Sequence, residues 1–106
     1  MAQKKKQKKS NVKLLDKQKQ KVEPPKKFKV VFYNDDFTPM DFVVLVLEQI
    51  FHHPSAAAQA IMLDVHNKGR GVAGVYSKEI AETKAHMVNQ TAVQYGHPLK
   101  AEFEPE

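Results

Sequence analysis

Apolar residues recur along this chain in two different periods, and the switches between them outline six elements. Phe28-Lys29-Val30-Val31-Phe32-Tyr33 is rich in aromatic and β-branched residues, which suit a pleated, half-buried surface, and it predicts a strand over about residues 28–34. Phe42, Val43, Val46, Leu47, Ile50 and Phe51 then recur at helical spacing, predicting a helix over about 39–51. His52, His53 and Pro54 interrupt it. Ala-rich sequence favourable to helix carries a second one from Pro54 or Ser55 to Lys68, and Gly69 is placed to end it. In that helix Met62, Val65 and His66 are spaced i, i+3, i+4 and share one face.

Arg70 to Tyr76 predicts a second strand, in which Gly71 and Gly74 mark close-approach or bulge positions. Ser77 is placed as the N-cap of a third helix, which is expected to bury Ala81, Ala85, Val88, Ala92 and Tyr95 at alternating spacings of four and three. Gly96, His97 and Pro98 stop it. Leu99-Lys100-Ala101-Glu102-Phe103 alternates apolar and polar, the pattern of a strand buried on one side. The order β-α-α-β-α-β predicts a small α+β domain, with the three helices packed against one face of a three-stranded antiparallel sheet.

Composition narrows the class. A chain of 106 residues accommodates one small domain. No run reaches the length of a membrane-spanning helix, and the lysine-rich start lacks the apolar stretch of a signal peptide. With no export signal and no cysteine, the expectation is a cytoplasmic protein whose fold uses no disulfide or thiolate-bound metal.

The net charge of +5 changes its meaning once it is divided along the chain. Residues 1–27 hold eleven Lys and two acids, a surplus of nine positive charges, whereas residues 28–106 hold six basic and ten acidic residues. The basicity belongs to the start of the chain. Residues 1–23 offer little apolar surface to offset the entropy of ordering, apart from a short transient helix around Val12 to Gln20, and Pro24-Pro25 stiffens the boundary. The expected division is therefore a flexible lysine-rich extension over 1–26 and a core domain over 27–106. The extension reads either as a solvated spacer or as a nonspecific binder of nucleic acid or acidic surfaces. It has no interleaved aromatics and no RNA-binding motif, so no specific nucleic acid is expected.

The most informative chemistry lies at the junction Asn34-Asp35-Asp36-Phe37-Thr38-Pro39-Met40-Asp41, between the first strand and first helix. Thr38 is expected as the N-cap, Pro39 at the first helical position and Asp41 in capping-box register. On these residues alone the junction reads as an Asx turn with a helix cap, or as something more if a second group joins it. An antiparallel pairing of the first two helices brings His66 back beside Asn34 and Asp35, next to an apolar cup of Met40, Val43, Met62 and Val65. Asp35 as carboxylate, Asn34 through its amide oxygen and neutral His66 all accept hydrogen bonds, and an ammonium donates three. The ligand implied is the first residue of a polypeptide, bulky and apolar. The other histidines, His52, His53, His86 and His97, read as solvent or packing residues. A metal at Asp35, Asp36 and His66 lacks a standard ligand spacing. Ser10, Ser55 and Ser77 lack a nucleophile setting, and Lys68-Gly69-Arg70-Gly71 is too short for a phosphate loop.

The run from Val30 to Val43, VVFYNDDFTPMDFV, resembles the N-D-D-[FY]-T-P-M-[DE]-[FY]-V signature of ClpS, the adaptor family of bacterial ATP-dependent Clp proteases. Further blocks agree in order and spacing: Met62-Leu63-Asp64-Val65-His66 with Gly69, Gly74-Val75-Tyr76, Glu79-Ile80-Ala81-Glu82-Thr83-Lys84, and His97-Pro98-Leu99. The resemblance covers about residues 25–104. It implies a non-enzymatic adaptor, without cofactor and monomeric, that binds proteins beginning with Leu, Phe, Tyr or Trp. Such proteins are delivered to the ClpA unfoldase and so to the ClpP peptidase. Carried over, Asn34, Asp35 and His66 hold the α-amino group. Asp36, Thr38, Met40, Val43, Met62, Val65 and Leu99 shape the pocket, with Met40 a gate against β-branched side chains. Glu79 and Lys84 belong to the unfoldase-docking face. A mobile N-terminal extension also belongs to the family, though this one departs in being strongly lysine-rich. The alternative function is a small nucleic-acid-associated protein acting through its basic start, and a weaker third is a metal-assisted hydrolase.

Overall fold

The structure, a computed structural model, describes residues 24–106. The expected extension therefore lies outside the described residues except for its last three, as does the transient helix around Val12 to Gln20. The elements are β1 (Phe28–Tyr33), α1 (Met40–Gln49), α2 (Ser55–Lys68), β2 (Arg70–Tyr76), α3 (Lys78–Gln94) and β3 (Lys100–Pro105). The sheet is antiparallel with β1 in the centre, in the order β2-β1-β3. The middle of this central strand is covered on both faces, with Val30, Val31 and Phe32 fully buried, which is why β1 lacks the clean alternation of an edge strand.

One face of the sheet carries the core. Val30 and Phe32 of β1, Ala73 of β2 and Ala101 of β3 meet Phe42, Val43, Val46 and Leu47 of α1, Ala58 and Val65 of α2, and Ala81, Ala85, Val88 and Ala92 of α3. The Phe32 and Phe51 rings pack edge-on with centroids 5.5 Å apart, a preferred aromatic arrangement. On the other face Val31 is sealed by charge rather than by helix. Arg70 lies opposite Tyr33 and Glu104 opposite Lys29, so the 2.9 Å Arg70–Glu104 bridge crosses the sheet over Val31.

Three contacts distant in sequence hold the elements in place. The ladder between β1 and β2 shifts register between Val30 and Val31, leaving Ala73 as the extra residue of a bulge, and the His53 ring nitrogen donates to the Ala73 carbonyl. Asn89 of α3 donates to the Ala101 carbonyl at 2.9 Å and accepts from the Ala101 N–H at 2.8 Å, occupying both backbone groups of an edge residue. Lys84 donates to the Ile50 carbonyl at 2.7 Å and lies over the Phe51 and Tyr76 rings at 5.5 and 5.3 Å. It thus closes the C-terminal end of α1 with a cation, which suits the helix dipole.

Three local expectations are corrected. Thr38 is not the cap of α1: Pro39 occupies that position, without a side-chain cap bond, and the helix starts at Met40. The Thr38 hydroxyl is instead taken by Asp35, at 2.8 Å, so Asp41 has no capping box to complete. Tyr95 is 64% exposed rather than buried. The chain leaves helical geometry there (φ −93°, ψ 3°), Gly96 takes a positive φ of 76°, and the His97 N–H returns to the Ala92 carbonyl at 2.8 Å, so the periodicity that predicted burial has already ended. The closing strand begins at Lys100, one residue later than expected, and runs on to Pro105.

Two glycines meet different demands. Gly69 adopts φ 88°, and a Cβ there meets nothing within 4 Å, so the left-handed backbone alone requires it. At Gly71 a Cβ would lie 2.8 Å from Val65 Cγ2 and 3.3 Å from the Val65 nitrogen, so its absence lets α2 sit directly on β2. Gly69→Ala is expected to cost about 1–2 kcal/mol, the penalty of a left-handed residue with a Cβ. Gly71→Ala is expected to cost about 1–3 kcal/mol, the usual range for overpacking, and to shift the Val65 methyl resonances. Denaturant midpoints and methyl NMR spectra check both, and only Gly71→Ala should move Val65.

Candidate functional site

The loop from Asn34 to Pro39 takes its shape from one carboxylate. Asp35 Oδ1 accepts from the Phe37 N–H at 2.8 Å and the Thr38 N–H at 2.7 Å, and Oδ2 accepts from the Thr38 hydroxyl at 2.8 Å. This is the Asx turn that the sequence suggested, with a hydroxyl added. Partial burial of Asp35 pushes its pKa up, but the two backbone N–H groups, the Thr38 hydroxyl and a smaller electrostatic effect of His97 outweigh it and hold the pKa below the usual aspartate value. A carboxylate has about four lone-pair sites. Three are occupied here, leaving one on Oδ2 for a further donor.

Next to this turn α2 arrives from the other side. The Gly69 N–H bonds the Val65 carbonyl at 3.0 Å, and the Gly69 carbonyl accepts from the Asn34 N–H at 2.9 Å. That second bond ties the end of β1 to the end of α2. His66, one turn before Gly69, is thereby brought beside Asn34 and Asp35, as the antiparallel pairing of α1 with α2 requires.

The result is a cavity of about 220 Å³ lined by Tyr33, Asn34, Asp35, Asp36, Thr38, Met40, Val43, Met62, Val65, His66 and Leu99. All ten pocket residues expected from the sequence line it. Val43, Val65 and Leu99 form a buried apolar floor, while Asn34, Asp36, Met40 and His66 are exposed at the rim. Its size is below the roughly 300–1,000 Å³ of sites for drug-sized ligands and suits a single side chain. Tyr33 is the lining residue that the sequence reading missed, although its place directly before Asn34 was the available signal. Glu79 and Lys84 lie on α3 and do not line the cavity. A shallower groove on the outer side of α1 and α2 shares Met40 and Met62 with it and adds Asp41, Val44, Leu45, Glu48 and Gln59.

Asp35, Asp36 and His66 share the cavity, yet among the described residues no three His, Cys, Asp or Glu side chains form a group able to hold a metal ion. Among the same residues no helix is long and apolar enough to cross a membrane.

The family model for the ATP-dependent Clp protease adaptor protein ClpS matches residues 23–102. The chain belongs to the ClpS family. It is 57% identical over 84 residues to the ClpS adapter protein of Hydrogenovibrio crunogenus, covering 79% of this chain and 81% of that protein. To the ClpS adapter of Leptothrix cholodnii it is 52% identical over 91 residues, covering 86% and 79%. Its fold is similar to that of Agrobacterium tumefaciens ClpS2 bound to L-phenylalaninamide, with a TM-score of 0.76 and 37% identity over 78% of this chain and 100% of that one. The ClpS family is one of protease adaptors, and the matched residues include the junction that the Asp35 turn shapes in this chain.

Because hydrogen bonds hold the Asp35 carboxylate in its charged form, its pKa depends on the Thr38 hydroxyl. Thr38→Val removes one of three donors at constant shape and is expected to raise the Asp35 pKa towards the ordinary value of about 3.9. A carboxyl-carbon NMR titration of both proteins checks this. The group's contribution to stability is present above the unfolded-state pKa and is lost as pH falls through the lower folded-state pKa. The variant should therefore have a smaller contribution of this kind, and its loss should be complete at a higher pH than in the parent.

Proposed function

We propose that this ClpS-family chain is a non-enzymatic adaptor that binds the bulky apolar N-terminal residue of a substrate protein and hands that protein to the ClpA unfoldase of the Clp protease. The observation that carries the reading is the composition of the cavity: hydrogen-bond acceptors at one end, a closed apolar floor at the other, and room for one side chain. Asp35 Oδ2, the Asn34 amide oxygen and a His66 nitrogen take the three protons of an α-ammonium. A charge-assisted bond of this kind contributes about 1.5–3 kcal/mol. The floor of Val43, Val65 and Leu99, with Met62, takes the side chain, and burying a Leu or Phe contributes about 1.5–3 kcal/mol. Neither half alone gives tight binding, so the site selects for both features on one residue. Met40 at the rim limits branching at Cβ, while Asp36 and Thr38 complete the wall.

The ligand bound to the Agrobacterium relative, L-phenylalaninamide, carries a free α-amine and an aromatic side chain on one small molecule. It supports the same ligand class here. Delivery rests on α3, where exposed Glu79 presents its charge to the unfoldase and half-buried Lys84 holds the corner at Ile50 and Phe51. Residues 27–106 act as the binding core, and the lysine-rich extension over 1–26 acts during hand-over. The rival nucleic-acid reading drew on that extension alone, whereas residues 28–106 carry a surplus of acids.

A panel of labelled peptides tests the reading. Peptides starting with free Leu, Phe, Tyr or Trp should bind, and those starting with Ile, or with acetylated Phe, should bind far more weakly. Equal affinity for all would contradict it. Asp35→Asn, which keeps an oxygen for the Asx turn but loses the charge, should weaken binding of the Phe peptide by about 1.5–3 kcal/mol, or roughly ten- to hundredfold. With ClpA and ClpP present, a reporter protein beginning with Phe should be degraded faster when the chain is added, and no acceleration would remove the delivery step.

A further inference from the structure

The chain has four Met but no Cys and no Trp. Thioethers are therefore its most readily oxidised side chains, and no thiol competes for a peroxide. Met40 and Met62 both line the cavity, and both also border the groove outside it, so the two thioethers form the partition between them. Their access to solvent differs: Met40, the first residue of α1, is 46% exposed at the mouth, whereas Met62 is half-buried. Met87, on α3 and away from the cavity, is 43% exposed. Two methionines of nearly equal exposure thus sit in two different settings, one at the site and one remote from it.

We infer that Met40 is an oxidation site through which peroxides close the pocket, an inference that rests on the peptide-binding reading above. The Met40 sulfur donates an electron pair to one oxygen of hydrogen peroxide. A sulfur–oxygen bond forms as the oxygen–oxygen bond breaks, and the second oxygen leaves as water after a proton moves to it. Methionine is oxidised by two electrons to the sulfoxide and the peroxide is reduced to water. The product is polar and carries a strong acceptor where a thioether met the ligand's apolar side chain. Seating a bulky apolar residue then strips water from the sulfoxide oxygen, and an apolar ligand side chain has no donor to offer in its place. Methionine sulfoxide reductases reverse the step with two electrons from a dithiol, which becomes a disulfide while the sulfoxide oxygen leaves as water, so the pocket reopens.

The test uses the full chain, treated with graded hydrogen peroxide. Sulfoxide at each Met is read by peptide mass spectrometry, and affinity is measured for a peptide starting with free Phe. Met40 and Met87 should oxidise at similar rates and Met62 more slowly. Affinity should fall about tenfold or more, in step with Met40 sulfoxide. Met87→Leu should lose affinity as the parent does, and methionine sulfoxide reductase with a dithiol reductant should restore both. Met40→Leu, compared with its own untreated affinity, should be indifferent to peroxide while Met62 remains reduced. Unchanged affinity with Met40 fully converted, or loss that follows Met87, would overturn the inference and leave the peptide-binding reading intact. Failure of the untreated chain to bind the Phe peptide would instead overturn that reading, and the inference with it.

Discussion

The hydrogen bond from the Asn34 N–H to the Gly69 carbonyl joins the two halves of the site. Asn34 begins the loop into α1, and Gly69 ends α2 in a left-handed conformation from which the chain turns straight into β2. Without that turn His66 would point away from the Asp35 loop, and the cavity would have one wall. With it, the first residue of β2 is registered against the last of β1, Tyr33 against Arg70, and sheet pairing fixes where α2 lies. Site and fold therefore share one constraint. A bond between backbone groups suits the task, because it does not depend on which side chains later line the pocket.

Around this joint the molecule divides labour between chain-local and distant contacts. The Asp35 turn is local, spanning four residues, and sets the direction in which Asn34 and Thr38 project. The supports are distant: Lys84 on the end of α1, His53 on the bulge at Ala73, and Asn89 on the edge at Ala101. Each places a polar side chain on a backbone group that regular secondary structure leaves free, and each such group would be costly if buried unpaired. Together they hold α1 and α3 against a sheet whose central residues Val30, Val31 and Phe32 are fully buried, while the rim of the cavity remains exposed.

Much of this was legible in the sequence, for identifiable reasons. The six elements appeared because strand and helix periods are well separated along this chain and Gly or Pro marks nearly every boundary. The pocket residues appeared because Met62, Val65 and His66 share a helical face and because the junction is unusually acidic, and the resemblance to ClpS supplied the pocket roles of Asp36, Thr38 and Leu99. What escaped depended on competition or on distance. Thr38 has the chemistry of an N-cap, but its hydroxyl had two possible partners, and Asp35 three residues earlier took it. Tyr95 fitted the helical stripe, yet the helix ended one residue before it. Lys84 entered only through the resemblance, as part of a docking face, since nothing local indicates that the Ile50 carbonyl and two rings lie beneath it.

The central claim is that one residue of the ligand satisfies both ends of the cavity, its α-amine at Asp35 and its side chain on the apolar floor. A double-mutant cycle tests this most directly. Affinities are measured by calorimetry for the parent and Asp35→Asn, each with a Phe-initiated peptide and with its analogue in which the α-amine is replaced by hydrogen. If the amine meets Asp35, losing it should weaken the parent markedly and the variant little, giving a coupling of about 1–3 kcal/mol. Equal losses in the two proteins, and hence a coupling near zero, would contradict the account.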